Sequence, residues 1–223
     1  MFRRIICNTP IAKPQNATRN SQRHFILKKE TFIFDDQNQF VMAKQGDKIT
    51  NARTGQKMIF LQTGIETNGQ LLEIESFNPK SDMREPIHIH PKQESSAKVI
   101  SGKLHFLVNG KEQIIGPGEK ITIPAGAPHC FWNEDDIEAH SIQQFVPALH
   151  MDEFFESFFA LANDGKLSTK GMPPFLQLPL MGLKHKDEIR VTNPPWTIQL
   201  LTYWILAPIS FLMGYRANYY SKK

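Results

Sequence analysis

The sequence predicts an all-β domain with helical segments after it, and three observations carry that prediction. Short strand-like runs recur between turns from about residue 40 to Pro147. Asn-Gly pairs, the strongest short hairpin signal, stand at 68–69 and 109–110. After residue 150 the apolar spacing switches from alternation to a helical period.

Taken in order, Lys57 to Gln62 and Gln70 to Phe77 read as strands on either side of Asn68-Gly69. Leu104 to Val108 and Glu112 to Ile115 flank Asn109-Gly110. Gly116-Pro117-Gly118 turns the chain into a strand at Lys120 to Pro124. Gly126-Ala127-Pro128 turns it again into His129 to Asn133, and Ala139 to Val146 closes the series. Regularly spaced short strands of this kind make a sandwich or a barrel. No internal repeat is present, which predicts one such unit rather than two.

Met151 to Ala162 places Phe154, Phe155, Phe158, Phe159, Leu161 and Ala162 at helical spacing. Asp152 and Glu153 suit its first turn, and Asn163-Asp164-Gly165 ends it. The expected place of this helix is the outside of the β-domain. Val191 to Tyr215 is a run of 25 residues without a charge. Its core, Trp196 to Tyr215, is long enough as a helix to cross a bilayer's hydrocarbon region of roughly 30 Å. The expectation is a transmembrane or membrane-associated segment at 196–215, on a chain otherwise cytoplasmic. Three basic residues precede it (Lys184, Lys186, Arg190) and three follow (Arg216, Lys222, Lys223), so its orientation is left open. The domain plan is therefore a basic extension over 1–39, the β-domain over 40–148, a helix and linker over 149–190, and an apolar helix over 191–223.

Charge and cysteine content narrow the class. The formal net charge is +4, from 26 basic and 22 acidic residues. No basic run interleaved with aromatics forms a nucleic-acid module, so nucleic acid is not an expected partner. Residues 1–29 hold seven Lys or Arg and no acid, a composition shared by transit peptides and basic tails. Cys7 and Cys130 have no metal-ribbon or CxxC spacing. No Ser-His-Asp order, Walker A loop or dinucleotide fingerprint is present.

The residues that carry chemistry are histidines. His88-Ile89-His90 puts two imidazoles on one face of a strand, where neutral rings suit a divalent transition metal. His129 follows within Gly118 to Asn133, GEKITIPAGAPHCFWN. There glycines allow tight turns, and Pro124 and Pro128 fix the backbone around the bend.

These segments resemble the two motifs of the cupin superfamily. The second motif is matched at Gly118, Pro124, Gly126, His129 and Asn133. The first is matched at His88, His90, Pro91 and Gly102 of HIHPKQESSAKVISG. The likeness covers roughly residues 45 to 147 and is of the single-domain, type 2-like kind. The rest of the chain, in its Phe-rich helix and the tail PPWTIQLLTYWILAPISFLMGYRANYY, also resembles a group of bacterial single-domain cupin proteins. The resemblance implies a cupin-like β-barrel (a double-stranded β-helix) with a ligand cavity, and often a divalent metal held by three His and one Glu. Related barrels commonly pair, so a homodimer is a candidate assembly.

One position departs from the pattern. The motif's metal glutamate falls at position 95, which is Ser95. Glu94 lies one residue earlier, and a one-residue shift turns a strand side chain to the opposite face. The candidate metal ligands are therefore His88, His90 and His129, with Glu94 expected to point away unless a bulge turns it inward. Three imidazoles with open positions suit Fe, Mn, Zn, Ni or Cu, and a barrel without metal is the competing expectation. The candidate cavity residues are Ser95, Phe106, Val108, Phe131 and Asn133. No catalytic residue is assigned. Two functions follow. One is a metal-dependent, oxygenase- or isomerase-like enzyme acting on a small molecule. The other is a non-catalytic small-ligand-binding or scaffold barrel tethered to a membrane.

Overall fold

A computed structural model describes residues 43–221, all within one compact unit, Phe40–Lys223. The expected basic extension over 1–39, with Cys7, lies outside the described residues. The elements in chain order are β1 (Lys48–Thr50), β2 (Lys57–Gln62), β3 (Leu72–Asn78), β4 (His88–Ile89), β5 (Glu94–Ser101), β6 (Leu104–Val108), β7 (Lys111–Ile115), β8 (Lys120–Ile123), β9 (His129–Trp132), β10 (Ala139–Val146), α1 (Met151–Asn163), α2 (Leu178–Lys184), β11 (Arg190–Val191) and α3 (Trp196–Leu212).

The strands form two antiparallel sheets. One has the order β1-β2-β3-β10-β5-β8 and the other β11-β4-β9-β6-β7. They pack face to face. A single core cluster joins Ala97, Val99, Ile121 and Ile123 of the first sheet to Leu104, Phe106, Val108 and Ile115 of the second. Alternation explains which side chains enter it. In β3 and β10 every second residue is buried, and the intervening ones face outward.

The expected closed barrel is not formed by the hydrogen bonding; two separate sheets enclose the interior instead. Among the described residues the edge strands are β1 and β8 of the first sheet and β11 and β7 of the second, and no ladder joins them. β4, only two residues long, lies between β11 and β9, with Pro86 before it and Pro91 after His90 removing two backbone donors at its ends.

Of the two Asn-Gly pairs, only 109–110 makes the two-residue hairpin. Asn109 and Gly110 both have positive φ, 50° and 76°, and Val108 pairs with Lys111 across them. Asn68-Gly69 has the same local conformation, with φ of 53° and 78°. It sits inside a longer loop, where Thr67 Oγ1 accepts from the Leu71 amide.

α1 does not lie on an outer face of the sheets. Its phenylalanines cover the open end of the interior, and Phe159 joins a second core cluster with Met58, Phe60, Leu72, Ile74 and Phe145. α2 and α3 pack against each other so closely that a Cβ added at Gly182 would lie 2.5 Å from the Tyr203 ring.

The membrane-span expectation for residues 196–215 is corrected here. Among the described residues no helix is long and apolar enough to cross a membrane. α3 has 17 residues, about 26 Å of helix against the roughly 30 Å needed. Two of its polar residues also face the protein. Gln199 is buried and donates to the Val191 carbonyl at 2.9 Å, and Ser210 is fully buried.

Candidate metal centre

His88, His90 and His129 converge. β4 pairs with β9 through the partners His88 and His129, and the third ring follows from the i, i+2 relation within HxH. Ring centroids lie 4.5 Å apart for His88–His129, 5.0 Å for His90–His129 and 5.2 Å for His88–His90. One ring nitrogen from each can be chosen so that all three lie within 4.8 Å of one another. All three residues are buried.

The hydrogen bonds decide which nitrogen each ring offers. His88 Nδ1 contacts the Pro86 carbonyl at 3.0 Å. His90 Nδ1 contacts the Glu188 carbonyl at 2.7 Å. His129 Nδ1 contacts the Ala127 carbonyl at 2.8 Å. A carbonyl oxygen only accepts, so each Nδ1 carries the proton and donates. Each Nε2 is left with its lone pair, and the orienting partner is already in place.

Electrostatics keep the rings neutral. Burial, then the neighbouring His90 and His129, hold His88 well below its ordinary value. Burial, then His129, pushes His90 down to about 4. Burial also lowers His129. Neutral imidazoles need no deprotonation before they bind a cation near pH 7. The donor set therefore fits a divalent transition metal.

Around the histidines lies a cavity with about 160 Å³ of free space. Ser95, Phe106 and Phe131 line it, as the alternation of their strands predicts. Val108 and Asn133 do not, which corrects two of the five expected cavity residues. Val108 is the cross-strand partner of His129 at the end of β6 and packs into the core cluster. Asn133 follows β9 and is spent on backbone: its Nδ2 donates to the Asn78 and Ile137 carbonyls, both at 2.8 Å.

Glu94 is exposed on the outer side of β5, paired with Val146, and is absent from the cavity wall. No bulge turns it inward; the register shift in this strand pair lies at the far end, between His140 and Ser141. Ser95 occupies the inward position.

Several wall residues carried no signal in the sequence. Glu85 lines the cavity three residues before His88. Gln143 projects from the buried face of β10, a position that strand alternation alone could have found. His185, Arg190, Gln199 and Tyr203 arrive from the C-terminal segments, and Phe154, Phe155 and Phe158 from α1. The Glu188 carbonyl that orients His90 is 98 residues away in the chain, beyond any local pattern.

Residues 74–142 match the Cupin domain family. An oxidoreductase of Arthrobotrys oligospora is 26% identical over 151 residues, covering 63% of this chain and 58% of that protein. The quercetin 2,3-dioxygenase of Bacillus subtilis is 26% identical over 77 residues, covering 34% of this chain and 23% of that protein. The chain thus spans less than two thirds of either relative. Among solved structures, a predicted oxalate decarboxylase of Thermotoga maritima has a TM-score of 0.41 at 18% identity, covering 45% of this chain and 90% of that one. A protein of Halomonas, KdgF, has a TM-score of 0.39 at 15% identity, covering 48% and 93%. The match to the Cupin domain family falls on the same two-sheet unit as the motif residues His88, His90, Gly102 and His129.

Proposed function

We propose that His88, His90 and His129 hold a divalent transition metal through Nε2, and that the chain is a metal-dependent enzyme acting on a small, largely apolar molecule. The observation that carries this reading is the three Nδ1-to-carbonyl hydrogen bonds, which aim three lone pairs at one space. Oxidoreductase chemistry is the favoured class, since both similar curated proteins are named for it. An all-imidazole donor set suits Fe, Ni, Cu or Zn better than Mn, which prefers carboxylate oxygens.

A bound metal would polarise an oxygen-bearing group of the substrate or activate dioxygen. The protein's own residues do the rest. Phe106, Phe131, Phe145, Phe154 and Phe155 give the cavity an apolar, aromatic wall that favours a flat apolar ligand and excludes water. Gln143, buried on the same wall, supplies an amide that fixes the ligand's orientation. Oxygen uptake by metal-loaded protein, offered quercetin and smaller aromatic hydroxy compounds, tests the reading. Turnover that His129→Ala abolishes is the expected result; no turnover of any compound by wild type and variant alike contradicts it.

Ser95 at the glutamate position favours one other reading, a barrel that binds an apolar ligand without converting it. That reading expects saturable ligand binding, equal in wild type and His129→Ala, with no product.

A further inference from the structure

The lost motif glutamate leaves a question of charge. A divalent cation held by three neutral rings in an apolar cavity carries its full charge unless a carboxylate stands near. Glu94 is exposed on the other side of β5. Glu188 offers its carbonyl rather than its carboxylate to His90, and that carboxylate accepts from the His150 amide. Among the described residues that line the cavity, Glu85 is the one Asp or Glu.

The placement of Glu85 is specific. It precedes the HxH strand by three residues and lines the histidine cavity together with Pro86, His88, His129 and Phe131. It also borders the smaller cleft behind Phe131, beside Asn78 and Asn133. It is half-buried as a residue, yet burial alone pushes its carboxyl up to about 7. Among the described residues it makes no hydrogen bond or ion pair, which leaves its carboxylate free to act on a group bound in the cavity.

We infer that Glu85 serves the histidine centre in place of the carboxylate missing from β5, balancing the cation's charge from an outer position and accepting a proton from the oxygen-bearing group bound there. It is not grouped with the three histidine nitrogens, which lie within 4.8 Å of one another. An outer carboxylate is expected farther away: it is separated from the ion by one oxygen, with a bond of about 2.1 Å on one side and a hydrogen bond of about 2.7 Å on the other. The step is a proton transfer only. The proton leaves a hydroxyl of the bound group, its bonding pair stays on that oxygen, and Glu85 becomes a neutral carboxylic acid.

This inference rests on the metal reading above, and the test separates the two. Co²⁺ is titrated calorimetrically at pH 7.5 into wild type, Glu85→Gln, Glu85→Asp and Glu94→Gln, each checked for fold by circular dichroism. Glu85→Gln is expected to weaken Co²⁺ binding about 10- to 100-fold, the usual effect of removing an outer-shell partner. Glu85→Asp is expected to lie between that variant and wild type, and Glu94→Gln to stay within about twofold of wild type. Wild-type binding with an unchanged Kd in Glu85→Gln overturns the role of Glu85 and leaves the metal reading standing. Wild type that binds no Co²⁺ overturns both. Should Glu85→Gln fail to fold, Glu85→Asp decides, and affinity equal to wild type overturns the inference.

Discussion

The two histidine-bearing strands, β4 and β9, reach the same site by different means. β9 is held locally. It pairs with β6 across four consecutive partners, from His105–Trp132 to Val108–His129. His129 is oriented by Ala127, two residues back in the same turn. β4 is two residues long and shares one partner pair with β9. Its other side is held by β11, through Arg190–Ile89 and Val191–His88, and His90 is oriented by Glu188 of the same strap. One half of the centre is thus encoded by a turn and a hairpin neighbour. The other half depends on a segment that arrives after the whole β-domain is complete.

That difference can be broken from either side. The largest effect is expected from His129→Ala, which removes a ligand from the rigid half. Co²⁺ affinity should fall more than about 100-fold, beyond what an outer contact is worth. A calorimetric titration checks this, and a smaller loss would mean that the other two rings suffice.

The strap's root is the next point to break. His185 ends α2, and its carbonyl accepts from the Glu188 and Ile189 amides at 3.2 and 3.0 Å. The ring is 1% exposed and packs edge-on against Phe154. Burial, then Lys184, pushes its pKa down to about 4. The folded protein therefore holds fewer protons here than the unfolded chain, where the ring titrates near 6.5. Its stabilisation is complete above pH 6.5 and is lost as pH falls from 6.5 towards 4, by about 2 kcal/mol between pH 7 and 5. Thermal melts should show wild type losing more stability in acid than His185→Gln. Parallel pH dependence in the two proteins would remove this residue from the account.

Thr192→Pro strikes the strap itself, deleting the donor that bonds the Ile87 carbonyl at 3.0 Å, one residue before His88. Metal affinity should fall about tenfold through the loosened orientation of β4, while the fold seen by circular dichroism is retained. An unchanged affinity would show that Glu188 holds His90 without the ladder.

The comparison sharpens at Ser95, which faces the cavity from β5 between Phe145 and Ile123. Ser95→Glu restores a carboxylate at the motif position, and in the Glu85→Gln background, where the outer carboxylate is gone, affinity for Co²⁺ should rise by up to about tenfold. No gain there would mean that a carboxylate at this position does not reach the ion.

How much of this was legible follows the same division. The strands Lys57–Gln62, Leu104–Val108 and Ala139–Val146 stand where alternation and turn residues put them. The inward position of Ser95 and the outward one of Glu94 follow from a period of two and need nothing else. The separation into two sheets was hidden, because it turns on which edge strands, β1, β8, β11 and β7, are left without a ladder to the other sheet. The destination of the helices was hidden for a related reason. Apolar periodicity reports that the Phe154–Phe159 face is buried, but not against what, and here it roofs the cavity. The chargeless run at 191–215 reads as a membrane span by composition. Gln199 and Tyr203 instead turn one side of α3 inward, with Tyr203 Oη donating to Gln199 Oε1 at 3.3 Å. Exposed Ile198, Leu201, Trp204, Ile205 and Leu212 account for the rest of its hydropathy.

The central claim is that three oriented imidazoles make a metal centre, and an anomalous-difference map of a Co²⁺-loaded crystal tests it most directly. The account predicts one peak within the cavity, about 2.0–2.2 Å from Nε2 of His88, His90 and His129. A fully loaded crystal with no peak there, or with the ion bound through Nδ1 after the rings have flipped, would contradict it.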